Sequence, residues 1–136
     1  MGKMNMKAIA LGCLADWAGT AAFGFVFGLI AVSVETSRGM SIEQAVDFFR
    51  GWYLTTAGTV FSTAFGLGFT SLGGFVAAKT SPQETLLNSA VVGSIALLAG
   101  LPLMENVPAT AATLSMALSI SAAVLGGCMH TKKIIF

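Results

Sequence analysis

Four long apolar stretches dominate this chain, and its charged side chains are gathered almost entirely between them. That arrangement decides the solvent. A hydrocarbon layer about 30 Å thick needs roughly 20 apolar residues per crossing helix. The stretches run over about 8–34, 52–78, 86–101 and 109–129. Backbone polar groups in lipid must be satisfied within the segment, so each stretch is expected to be helical. The expected fold is an all-α membrane protein: a bundle of four transmembrane helices forming one integral domain over 1–136, with a short amphipathic helix in the first outer loop.

Charged residues make up 10% of the 136 residues, where a soluble domain carries about 25%. The net charge is +1 and no basic patch exists, so nucleic acid is not an expected partner. Sixteen glycines would be a burden in soluble helices, but in membranes Gly is common and lets backbones approach. The first stretch outruns the apolar core of a signal peptide and carries Asp16, so it is expected to remain. Lys3, Lys7, Lys79, Lys132 and Lys133 fall on one side of the spans, and Arg38 and Arg50 on the other. That asymmetry predicts both termini on the cytoplasmic side.

Between the first two spans, Ser41-Ile42-Glu43-Gln44 fits a capping box. It opens a segment over about 41–50 whose apolar residues, Ile42, Ala45, Val46, Phe48 and Phe49, share a face. An interfacial helix running into the second span near Gly51 is expected. A second box, Ser81-Pro82-Gln83-Glu84, is expected to start the third span, with Pro82 at its first position. Pro102 should end that span, and Pro108 should start the fourth.

Small residues recur at spacing four. Gly24 and Gly28 form one pair in the first span. Gly58, Ser62, Gly66, Thr70, Gly74 and Ala78 form an unbroken row in the second, and Ala111, Ser115, Ser119, Ala123 and Gly127 another in the fourth. Such rows make flat ridges for close helix packing. Each step of four drifts around the helix by about 40°, which suits a crossing partner. The two rows align at an offset of 53 residues, as do Leu72-Gly73-Gly74 with Leu125-Gly126-Gly127. The alignment raises a parallel repeat of two hairpins as one explanation, and convergence on small-residue packing as another.

Asp16 is the residue that most invites a function. It lies about 12 Å along the first span, where a carboxylate is costly and usually faces protein or a wet cavity. Thr70 and Ser71 should lie at similar depth, and Asn88 somewhat shallower. A proton or cation site built from Asp16, Asn88, Thr70 and Ser71 is one reading. A carboxyl that simply ties neighbouring helices by hydrogen bonds is the other. Cys13, Cys128 and His130 have no metal-motif spacing and read as ordinary packing and interface residues, so no metal is expected. No phosphate loop, catalytic triad or paired carboxylates can be assembled, so neither an enzyme nor a cofactor is expected.

The run Leu72-Gly73-Gly74-Phe75-Val76-Ala77-Ala78-Lys79, with Pro82 and Leu86-Leu87-Asn88-Ser89-Ala90 after it, resembles a turn recurring in small bacterial four-helix inner-membrane proteins. The resemblance covers one hairpin and implies a bacterial inner-membrane location, but no activity. The expected role is a non-catalytic membrane subunit or packing scaffold for another membrane protein. The alternative is a small homo-oligomeric transporter or channel for protons or cations that uses Asp16.

Overall fold

The computed structural model describes residues 4–100 and 109–132. Five α-helices follow one another: α1 (Met6–Ser37), α2 (Ile42–Tyr53), α3 (Thr56–Thr80), α4 (Thr85–Gly100) and α5 (Ala109–Lys132). No strand occurs among the described residues. Three helices are long and apolar enough to cross a membrane: α1, α3 and the Thr113–Thr131 portion of α5. α4 has 16 residues and rises about 24 Å at 1.5 Å per residue. The turns at Pro102 and Pro108 lie outside the described residues.

Local chemistry explains the breaks. Asn5 caps α1, its side chain accepting from the Ala8 amide at 3.1 Å. Gly39, at φ 99°, turns the chain after α1 in a conformation that other residues rarely adopt. The capping box at α2 is complete: Ser41 Oγ accepts from the Gln44 amide, and Gln44 Oε1 accepts from the Ser41 amide. α2 does not run on into the next helix near Gly51. It stops at Tyr53, and Thr55 caps α3 afresh by accepting from the Gly58 amide at 3.1 Å. Gly58 therefore serves this corner rather than a helix interface, because a Cβ there would collide with the Trp52 carbonyl. The second expected box does not form. Ser81 makes no side-chain cap bond, and Pro82–Glu84 is a single 3-10 turn before α4.

Contacts across the bundle set the helix directions. Gly12 meets Gly73, Asp16 meets Thr70, Phe23 meets Phe65 and Phe27 meets Phe61, so α1 and α3 are antiparallel. Gly93 meets Ile120 and Gly127 meets Ser89, so α4 and α5 are antiparallel too. Thr63 lies against Ser115 and Gly74 against Ala123, which makes α3 and α5 parallel neighbours. α3 is central, packing on α1, α4 and α5. We call the half of the bundle that holds Asn5, Lys79 and His130 the lower half, and the half that holds α2 the upper.

The lower half is closed by small residues. A Cβ on Gly12 would lie 2.7 Å from the Gly73 carbonyl oxygen, and one on Gly73 would lie equally close to the Gly12 oxygen. Gly74 presses on the Ala123 backbone, and Gly126 on the Ser71 backbone. Ile9, Cys13, Ala77 and Val92 form the buried apolar cluster between these crossings. Interfaces of this kind gain from backbone proximity, since lipid tails are as apolar as Leu.

The upper half is held differently. Aromatic rings run up the α1–α3 seam. Phe23 stacks on Phe65 at 4.2 Å, Phe27 lies 4.9 Å from Phe61, and Phe27 reaches Phe49 and Trp52 at 5.7 and 5.8 Å. Ring pairs at these separations each add about 0.5–1.5 kcal/mol beyond area burial. A Cβ on Gly24 would meet no atom of another element within 4 Å, and one on Gly28 would meet the Phe49 ring of α2, so among the described residues this pair packs against neither α3, α4 nor α5.

The two hairpins do not take equivalent neighbours. α4 packs on α3, whereas α1 and α5 form no comparable interface among the described residues. Gly73 faces α1 and α4, while its counterpart Gly126 faces α3. Shared small-residue packing therefore explains the aligned rows better than a repeat does.

Candidate functional site

In the upper half, α3 and α5 turn their small residues toward open space. A cleft of about 650 Å³ lies there, with walls from α1, α3, α4 and α5 and the end of α2. Its length follows α3 from Thr59 to Thr70, about 16 Å at 1.5 Å per residue. Tyr53, Leu54 and Gly100 stand at the upper end, and Asp16 and Thr70 at the lower. Below Thr70 the Gly73 and Gly74 crossings close the bundle.

Asp16 is the only ionisable carboxylate among the lining residues. It is 4% exposed. The Thr70 hydroxyl lies 3.3 Å from each carboxylate oxygen and 3.1 Å from the Gly66 carbonyl. A strong O–H···O bond is shorter, around 2.7–2.8 Å. Thr20, one helical turn along α1, also faces the carboxylate. An ionised carboxylate offers about four acceptor positions, so these hydroxyls leave capacity for another donor. Among the described residues the ion pairs are Arg38–Glu35 and Arg50–Asp47, and neither reaches the cleft.

Apart from the Trp17 indole, the other polar side chains of the cleft are hydroxyls, and several of their protons are already committed. Thr59 donates to the Tyr53 carbonyl, Ser62 to the Thr59 carbonyl and Ser119 to the Ser115 carbonyl. Thr63 and Ser115 share one bond across the cleft at 3.5 Å. Hydroxyls that bond back to their own helix keep oxygen lone pairs for an incoming donor. Apolar wall comes from Leu67, Ala96, Ala99 and Ala21, and Trp17 lies beside Asp16.

The structure brings together two of the four candidate polar residues. Asp16 and Thr70 meet. Asn88, on α4, is fully buried against the start of α1, where its Oδ1 accepts from the Asn5 amide at 3.1 Å and its Nδ2 has no hydrogen-bond partner among the described residues. Ser71 faces α5 at Gly126. The packing rows divide at Thr70: Gly74, Ala123 and Gly127 lie at helix contacts, while Ser62, Gly66, Ser115 and Ser119 line the cleft. Ala111 falls where side chains are not described. Cys13 sits in the lower apolar cluster, and His130 lies edge-on to Phe75.

Sequence reasoning passed over Trp17, Thr20, Thr59 and Thr63 as site residues. Their signal was available in part, since Thr59, Ser62, Thr63, Gly66 and Thr70 share one face of α3 at helical spacing. No protein-family model, curated protein or solved structure matches this chain.

Proposed function

We propose that this chain is a multi-pass protein of the bacterial inner membrane that binds and carries a small cation or proton at Asp16. α1, α3, α4 and α5 are its four crossings, α2 lies on the outer surface, and both termini are cytoplasmic. The lysine bias and the alternating helix directions support that placement. One observation carries the functional reading: a cleft within the bundle ends on a buried carboxylate that no cationic side chain among the described residues neutralises. A carboxylate at membrane depth costs roughly 2.5–3.5 kcal/mol on insertion scales, so it is retained where it is used. The chain is not read as an enzyme, because the lining offers one acid and no base or nucleophile pair beside it. Four helices enclose little on their own, so a homo-oligomer completes the pathway.

The test is flux. Protein reconstituted in liposomes should dissipate an imposed pH or cation gradient, and Asp16→Asn should remove that activity while the protein still inserts. Wild-type liposomes as tight as empty ones would end the reading.

A second reading, a non-catalytic subunit for another membrane protein, has its own observation. Among the described residues no helix packs on the upper face of α1 around Gly24, and Phe25 and Val26 beside it are exposed. Native mass in mild detergent separates the two readings. A fixed ratio with a different membrane protein favours the subunit, and a homo-oligomer favours transport.

A further inference from the structure

We infer that the cleft takes the primary ammonium group of a small organic amine, its N–H donors on Asp16 and the neighbouring hydroxyl oxygens and its hydrocarbon part against the Leu67–Ala96 wall. The inference rests on Asp16 being the cation site and narrows what that cation is.

Three features of the cleft select this ligand over others. The first is capacity. A cleft of about 650 Å³ falls within the 300–1,000 Å³ of small-molecule sites and far exceeds the needs of a proton or a bare metal ion. The second is polarity of hydrogen bonding. Thr59, Ser62 and Ser119 give their protons to helix carbonyls, and Thr70 gives its own to Gly66 and Asp16. What they present to the cleft is acceptor oxygen. An ammonium has three donors and no acceptor, which complements that surface. An anion would meet the Asp16 carboxylate instead. The third is the mixture of walls: alanines and Leu67 alternate with the hydroxyls, so a ligand with an apolar body is held and a fully hydrated inorganic ion is not. Trp17, next to Asp16, adds an aromatic ring at the lower end of the cleft.

Calorimetric titration of the full chain in lipid nanodiscs, corrected with protein-free nanodiscs, tests this with four probes that share a phenyl ring and differ in the polar head. These are benzylammonium, benzyltrimethylammonium, benzyl alcohol and benzoate. Benzylammonium should bind at least about tenfold more tightly than each of the others, the effect of losing a charged hydrogen bond. Asp16→Asn should weaken it by a similar factor, and Gly66→Leu, which fills the cleft from a position with no neighbour within 4 Å, should abolish it. Equal binding of benzyl alcohol overturns the inference, because the cleft would then read shape alone. Equal binding of the quaternary probe overturns it as well, because N–H donation would then be irrelevant. Proton or sodium flux that depends on Asp16, with no benzylammonium binding, overturns this inference but leaves the cation site standing. Absence of both flux and binding removes the cation site too.

Discussion

The lower and upper halves of this bundle are built from the same residues at the same spacing, and they do opposite things. Gly74 and Ala123 in the lower half bring α3 and α5 into backbone contact. Gly66 and Ser119, two turns and one turn higher on the same rows, border a cleft. Small residues spaced four apart therefore specify low relief, and the neighbouring helix decides whether low relief becomes an interface or a cavity. In the upper half the aromatic seam between α1 and α3 takes over cohesion, which leaves the opposite face of α3 free to stay open.

Four substitutions would break or sharpen this contrast. The largest effect belongs to Gly74→Leu, whose side chain has no place beside the Ala123 backbone. It should cost about 3 kcal/mol or more, read as a fall in thermal midpoint or loss of monodisperse protein in detergent. Near-normal stability would mean that the lower half is not closed as described. Thr70→Val, at the boundary, removes a hydroxyl from a buried carboxylate and should cost roughly 1–3 kcal/mol. Its thermal midpoint should recover with Thr70→Ser, which restores the hydroxyl. Gly66→Leu should lose no stability while abolishing flux, since the added side chain enters open space. Destabilisation there on the scale of Gly74→Leu would erase the distinction between the halves. Gly24→Leu should change the thermal midpoint of the isolated protein least, within about 0.5 kcal/mol. If the same substitution releases a co-purifying membrane protein, the subunit reading gains over transport.

Much of the helical layout was legible because length and hydropathy report directly on helices such as α1 and α3. The depth of Asp16 relative to Thr70 was legible too, since a constant rise per residue converts sequence into height. Azimuth was not. Apart from the hydroxyl face of α3, the bundle helices show little difference between their faces, so the pattern gives α1, α4 and α5 no preferred inward side, and Gly24 looked as well placed for contact as Gly12. Asn88 shows the same difficulty. Its height is close to expectation, but it points to Asn5 rather than toward Asp16. The α2–α3 break was hidden because Trp52 and Tyr53 continue the apolar run, and only Thr55 marks the new cap. The aromatic seam could have been found. Phe61, Phe65 and Phe69 lie four apart, as do Phe23 and Phe27, and such pairs share a helix face.

The length of α1 has a further consequence. Its 32 residues rise about 48 Å, against a hydrocarbon layer of about 30 Å. In such a bilayer roughly a third of the helix must tilt or stand clear of the acyl chains. Measured from the terminal end, that surplus begins near Gly28, where Phe27 and Phe49 hang α2 from α1. On the proposed transmembrane placement, the corner at Tyr53 and Leu54 would be carried at headgroup height, and lipid thickness would set how far the cleft mouth stands from bulk water. Transport in liposomes of graded acyl-chain length should accordingly pass through an optimum, with thicker bilayers drowning the mouth in lipid and thinner ones stranding it.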